Sequence, residues 1–231
     1  MVGFEGGTNC IVCGRKAECF KQLDKNELDL FSMNKTTIHY KKGETIIKQG
    51  TEFLHVISFN EGLASIYIEI NQTKNVMIGL LKPSEILGGP GMFSNNRYSF
   101  SVTALTDCTI CLISVDIFKK IIRLNEKFAE IFLASFSSRY IEAIGRLVSL
   151  SHKQMNGRVA EVILYLSESI FQSNDFDIIM SRQDLADLAG ISKESVSRIF
   201  KDFQDDRIIN VSGKRIQILE VEKLNEIKLK G

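Results

Sequence analysis

At 231 residues the chain is long enough for two domains of ordinary size, each with its own core. Hydrophobic residues make up 44% and charged residues 25%, no apolar run approaches the roughly 18–20 residues that cross a bilayer, and the N-terminal MVGFEGGTNC lacks the basic-then-apolar order of a secretory signal. These features point to a cytosolic globular protein with no membrane partner, and a net charge of +1 excludes a uniformly basic surface, so any nucleic-acid contact must come from local placement of charge.

Residues 1–22 are rich in Gly and Cys and show no periodicity, so they read as an arm. The pattern DKNELDLFSMN then predicts a short helix over 24–34, with Leu28 and Phe31 on one face. From 36 onward the runs TTIHY, ETIIKQG, HVISF, ASIYIEI, NVMIGLL, YSFSVTAL and CTICLISV alternate with turns such as KKGE, NEG, NQTKN, KPSE and GGPG. Short strands at regular spacing predict a sandwich or barrel-like roll over 23–115. Over 116–154 the period lengthens to three or four residues, giving one long helix whose stripe includes Phe132, Phe136, Tyr140, Ile144 and Leu147. Such a helix either covers its own domain or forms the seam of a homodimer; its length favours the seam. Residues 155–231 form the second domain, opening with a helix from Arg158 to about Phe171 and a polar break, QSNDFD. The expected class is α+β.

The most specific stretch is MSRQDLADLAGISKESVSRIFKDFQDDRIINVSGKRIQIL. Ser181 and Asp184 resemble a capping box that opens a helix over about 182–189, burying Leu185 and Leu188. Gly190 stands where two helices must meet sharply, and Ser192 caps the second, whose Val196, Ile199 and Phe203 face the first. That leaves Lys193, Glu194, Ser197, Arg198 and Lys201 outward. Arg donates two hydrogen bonds to guanine, Glu accepts from cytosine and Ser adapts, so these types suit the major groove of double-stranded DNA. Glu194 and Arg198 are four apart and can brace each other. Two β runs around Ser212-Gly213 read as a wing, with Lys214 and Arg215, like Lys201, placed for phosphates. The plain alternative, a surface helix carrying an ion pair, leaves the turn glycine, the cap and the hairpin unexplained. No nucleophile–base set or Gly-rich phosphate loop supports an enzyme.

In this order of roll, long helix and winged helix-turn-helix, the chain resembles the Crp/Fnr superfamily of bacterial regulators over nearly its whole length. Glu194-Ser195-Val196-Ser197-Arg198 matches the E-x-x-S-R pattern of the FNR branch, whereas the Crp branch has Gly where Ser197 stands. The resemblance implies a cyclic-nucleotide-binding-like roll and a palindromic operator like TTGAT-N4-ATCAA, read by Glu194, Ser197 and Arg198 from each subunit. It also implies contact with RNA polymerase, for which the Asn71–Asn75 turn is a candidate. Lys193 replaces an apolar residue of the FNR pattern, which adds a possible base or phosphate contact. Ala143 stands where that pattern carries an acid, with Glu142 adjacent, so the seam can form without charge control.

A cyclic-nucleotide site needs a Glu for the ribose and an Arg-Ser or Arg-Thr pair for the phosphate. Alignment of GGPGMFSNNRYSFSVTAL puts Gly89 and Tyr98-Ser99 there, with Arg97 one residue off and thus on the other face of its strand. The five cysteines offer a better sensor, because an odd number in a cytosolic chain argues for metal or redox chemistry. Cys10, Cys13 and Cys19, spaced C-x2-C-x5-C, can wrap a compact centre, and soft thiolates select zinc or an iron–sulfur cluster, both usually with four ligands. Cys108 and Cys111 lie three apart on a strand and face opposite ways, so one alone completes the site. The resemblance to the FNR branch implies a [4Fe–4S] cluster on Cys10, Cys13, Cys19 and Cys111, with Cys108 a small buried residue. Zinc, or thiols holding no metal, are the alternatives. The histidines, His39, His55 and His152, are scattered and read as ordinary surface or core residues.

Overall fold

The computed structural model describes residues 9–71 and 74–230. The chain divides into two compact units, one ending at Ile141 and one beginning at Glu142.

The first unit begins with a 3-10 turn, Glu18–Gln22, and helix α1, Lys25–Met33. Asp24 caps α1 through a capping box with Glu27, and Leu28 and Phe31 are buried on the expected face. The expected arm therefore ends early: Ala17, Cys19 and Phe20 belong to the core, because Phe20 packs edge-on against Phe31 with centroids 5.0 Å apart.

Eight strands follow: β1 Lys35–Tyr40, β2 Thr45–Ile47, β3 His55–Glu61, β4 Ala64–Asn71, β5 Lys74–Leu81, β6 Glu85–Leu87, β7 Ser101–Ala104 and β8 Cys108–Ser114. They form two antiparallel four-stranded sheets, ordered β1-β8-β3-β6 and β2-β7-β4-β5. Ile57, Phe59, Leu81 and Ile110 on the strands, and Phe53 just before β3, are fully buried, as a roll requires. Strand β6 was hidden in the sequence because it has only three residues and begins at the last residue of the KPSE turn.

The single helix expected over 116–154 is two helices, α2 (Val115–Leu124) and α3 (Glu126–His152). Asn125 breaks it with extended backbone, its Oδ1 accepting from Phe128 N at 2.9 Å. Its Nδ2 donates to Gln22 O and to the Glu27 carboxylate, so the break is tied to the start of α1. Phe118 and Phe128 complete an aromatic cluster with Phe20 and Phe31. The boundary between the two units falls within α3.

The second unit holds the rest of α3, α4 (Met155–Tyr165), a π-helical turn (Leu166–Phe171) and β9 (Asp175–Asp177). Helices α5 (Arg182–Ala189) and α6 (Lys193–Asp205), strands β10 (Ile209–Ser212) and β11 (Arg215–Ile218), and α7 (Val221–Lys230) complete it. The sheet order is β10-β11-β9, so the wing gains a third strand within the segment read as a polar break. Phe176 anchors β9 by stacking on Phe171 at 4.8 Å.

Candidate functional site

The reading head is built as the residues predict. The Ser181 hydroxyl accepts from Asp184 N while the Asp184 carboxylate accepts from Ser181 N, closing the capping box of α5. Gly190 ends α5 at φ 63, a left-handed conformation that favours glycine. A Cβ there would lie 2.4 Å from Leu150 Cδ2, so packing as well as backbone requires the glycine. The Ser192 hydroxyl accepts from Ser195 N and starts α6.

Helix α6 buries Val196, Ile199 and Phe203 against its own unit, and Phe200 as well, over whose ring Arg182 lies at 4.2 Å. The opposite face exposes Lys193, Glu194, Ser197, Arg198 and Lys201. Ser197 Oγ donates to Lys193 O at 3.0 Å and so stays close to the helix surface. The Glu194 carboxyl is held below its ordinary range by its own backbone N–H and the Ser192 hydroxyl. Among the described residues no ion pair joins Glu194 to Arg198, so the two do not brace each other.

The wing departs from expectation at one residue. Gly213 turns it at φ 61 and Lys214 is exposed, but Arg215 forms a two-pronged pair with Asp175, Nε to Oδ1 at 2.6 Å and Nη2 to Oδ2 at 2.7 Å. Its guanidinium ties β11 to β9, so two of its donors are engaged by a carboxylate. The sequence could not show this, because β9 was not visible in it.

The expected seam also needs one correction. Phe132 is only 6% exposed and packs edge-on against Phe118 at 5.0 Å, so it belongs to the core of the roll. Phe136, Tyr140, Ile144 and Leu147 remain 40–67% exposed, joined by Leu133, Ile141 and Val148. They recur at helical spacing and leave an uncovered apolar face on α3.

Within the first unit, Cys10, Cys13 and Cys111 line a single small cavity of about 30 Å³, together with Lys16, Lys35 and Asn60. Cys111 reaches it from β8, where it pairs in register with Thr37 of β1 and Ser58 of β3. The arm is held there by Cys10 N donating to Ser32 Oγ at 2.9 Å and by Arg15 donating to Asn60 O at 3.1 Å. Lys35 Nζ lies 3.8 Å from Cys111 Sγ, and the Asn60 amide 4.0 Å from Cys13 Sγ. Asn60 Oδ1 is buried without a partner. Burial pushes the Cys10 thiol up.

Cys19 does not line the cavity. It sits in the aromatic core beside Phe20, and burial pushes its thiol up to about 12. Cys108 is buried on the other side of β8, donating to Leu63 O at 3.4 Å, as a small core residue does. The donor chemistry suits a soft metal centre, three thiols with amines beside them. The geometry is not closed: among the described residues no three His, Cys, Asp or Glu side chains stand in metal-binding arrangement.

At the positions a cyclic nucleotide would need, the roll is filled with rings. Phe53 and Tyr98 lie 4.4 Å apart, Tyr98 donates to His55 O at 2.6 Å, and a Cβ on Gly89 would meet Phe53 and Phe100. Arg97 Nη1 donates to Gly50 O instead of facing this interior. Of the histidines, His39 bonds Thr109 across β1 and β8, and burial lowers the His55 pKa. The Asn71–Asn75 turn includes residues 72 and 73, which lie outside the described residues. No helix among the described residues is long and apolar enough to cross a membrane.

Comparison with known proteins agrees with this architecture. The model of the cyclic nucleotide-binding domain matches residues 37–125, and that of the Crp-like helix-turn-helix domain matches residues 157–227. The transcriptional activator FnrA of Stutzerimonas stutzeri is 26% identical over 218 residues, covering 92% of this chain and 89% of that protein. The cAMP-activated global regulator CRP of Escherichia coli O157:H7 is 25% identical over 183 residues, 78% of this chain and 87% of that one. Similarity alone thus does not choose an effector. Among solved structures, FixK2 of Bradyrhizobium japonicum superposes with a TM-score of 0.78 at 20% identity, covering 84% of this chain and 96% of that one, which supports the fold. With both domains matched in their family order and with regulators rather than enzymes as relatives, the chain belongs to the Crp/Fnr family of DNA-binding transcriptional regulators.

Proposed function

We propose that this regulator binds a palindromic operator as a homodimer and is switched by an oxygen-labile [4Fe–4S] cluster. The observation that carries the switch is the convergence of Cys10 and Cys13 from the arm with Cys111 from β8 on one cavity. Cys19, six residues after Cys13, is the fourth ligand in this reading and must turn out of the core to serve. When bound, the cluster supplies a centre that oxygen or nitric oxide destroys, which frees the thiols. The Lys35 amine lies beside the Cys111 thiol, which is charged in the bound state, and offsets that charge, while Lys16 lines the same cavity.

The same residues connect the arm to α3. Phe20 follows Cys19 directly and its ring meets Phe128 of α3 at 5.8 Å, while Asn125 holds Gln22 O. Pinning the arm therefore biases the start of the helix whose exposed apolar face forms the dimer seam. A bias of roughly 1–3 kcal/mol is the usual scale of such coupling. Because Ala143 carries no charge, the seam persists without the cluster, and the cluster acts on the orientation of the subunits. Glu194, Ser197 and Arg198 read bases, Lys193 adds a contact, and Lys201 and Lys214 hold phosphates. The ring-filled roll binds no cyclic nucleotide, since a phosphate buried there would find no guanidinium. Roll loops contact RNA polymerase, and the regulator acts in the cytoplasm.

Single Cys→Ser variants test the ligand set. After anaerobic purification, Cys10→Ser, Cys13→Ser, Cys19→Ser and Cys111→Ser should each lose iron, while Cys108→Ser keeps it. Iron retained by Cys111→Ser and lost by Cys108→Ser would overturn the assignment, and zinc in place of iron would favour a structural arm.

A further inference from the structure

The turn of the reading head is gripped from behind by residues that the DNA-reading role does not use. The last carbonyls of an α-helix have no partner within the helix, and they carry the negative end of its dipole. At the end of α5, Arg146 Nη2 donates to Leu188 O at 2.6 Å and to Asp187 O at 3.2 Å. Arg158 Nη1 donates to Gly190 O at 3.1 Å. Two cations from two other helices thus occupy one helix end, and Leu150 closes the packing against Gly190. Arg146 and Leu150 come from α3, four residues and one helical turn apart.

The joint between α3 and α4 is fastened as well. Only Lys153 and Gln154 separate the helices, and Glu161 of α4 holds both the Ser149 hydroxyl and Lys153 Nζ, the latter at 3.1 Å. The last turns of α3 are therefore built into the reading unit, in keeping with the division of the chain after Ile141. Helix α6 starts three residues beyond Gly190, so whatever fixes that turn fixes the reading face.

We propose that Arg146 is a positioning residue for DNA recognition: it locks the α5–α6 turn to α3, so that the spacing of the two reading helices follows the dimer seam. It touches no base or phosphate. This rests on the dimeric reading above, because only a pair of reading helices has a spacing.

The test is selection of binding sites from random-sequence duplex DNA with the full-length protein, comparing wild type with Arg146→Met. Methionine keeps an unbranched apolar stem and removes the donors. Wild type should select paired half-sites at one separation. Arg146→Met should select the same half-site with separations spread over neighbouring base-pair steps, a loss of preference of about tenfold. Arg146→Lys, which can still donate to one carbonyl, should restore part of it. A thermal melt of the variant checks its fold, and Arg146→Lys carries the test should Arg146→Met unfold. Paired sites at the single wild-type separation in both variants would overturn the Arg146 role and leave the dimer standing. Unpaired half-sites from wild type would overturn both.

Discussion

The reading head and the cysteine-lined cavity differ in how their parts are brought together. The head is assembled within one short stretch, where Ser181, Gly190 and Ser192 set two helices and the hairpin that follows. The cavity needs an arm, a strand and a loop-free fit between them, with Cys10 and Cys111 about a hundred residues apart. Local hydrogen bonds form the first whether or not a ligand is present. In the proposed reading the second is complete only when Cys19 turns out of the core to join it. A site made of local signals can hold its shape by itself, and a site made of distant ones can serve as a switch.

Several substitutions break or sharpen that contrast, beginning with the largest. Phe132→Ala removes a buried ring from the roll and should destabilise the first unit by about 3–5 kcal/mol in denaturant titration. Tyr140→Ala on the exposed face should leave that stability alone and weaken self-association in sedimentation experiments. Equal effects from both would mean that Phe132 lies in the seam after all.

Arg198→Ala should weaken operator binding by roughly 1–3 kcal/mol per half-site and relax base preference at one position, with non-specific binding nearly unchanged. A uniform loss on all sequences would reassign Arg198 to phosphate. Gly190→Ala forces a side chain into left-handed backbone and against Leu150, which should cost about 1–2 kcal/mol or more in the melting of the second unit. The smallest effects fall on the wing. Lys214→Ala should reduce the salt dependence of binding by about one ion per half-site, whereas Arg215→Ala should leave the salt slope as it was, since Arg215 is engaged with Asp175. A salt slope altered by Arg215→Ala and untouched by Lys214→Ala would reverse the two roles.

The same contrast decides what could be read from the sequence. The caps, the turn glycine and the apolar spacing of α6 are short-range chemistry, and the structure places all of them as expected. So is α1, whose Asp24–Glu27 capping box could have been recognised as well. What was not legible depends on tertiary contact. The break at Asn125 is held by Gln22 and Glu27, far away in the chain. Phe132 and Phe136 look alike in a helical stripe, and only the presence of Phe118 sends the first into the core. Strand β9 has three residues and becomes a strand because β11 pairs with it, which also gives Arg215 a carboxylate partner in Asp175. Cys19 shares the spacing of its neighbours, yet the adjacent Phe20 carries it into the aromatic cluster.

The most direct test of the switch is one preparation measured twice. The protein is purified without oxygen, its iron and acid-labile sulfide are determined, and its affinity for the selected operator is measured before and after exposure to air. The account predicts iron and sulfide in equal amounts, both lost in air, with operator affinity falling about tenfold while the dimer persists. A colourless protein that contains zinc or no metal, and binds the operator equally well before and after air, would contradict it.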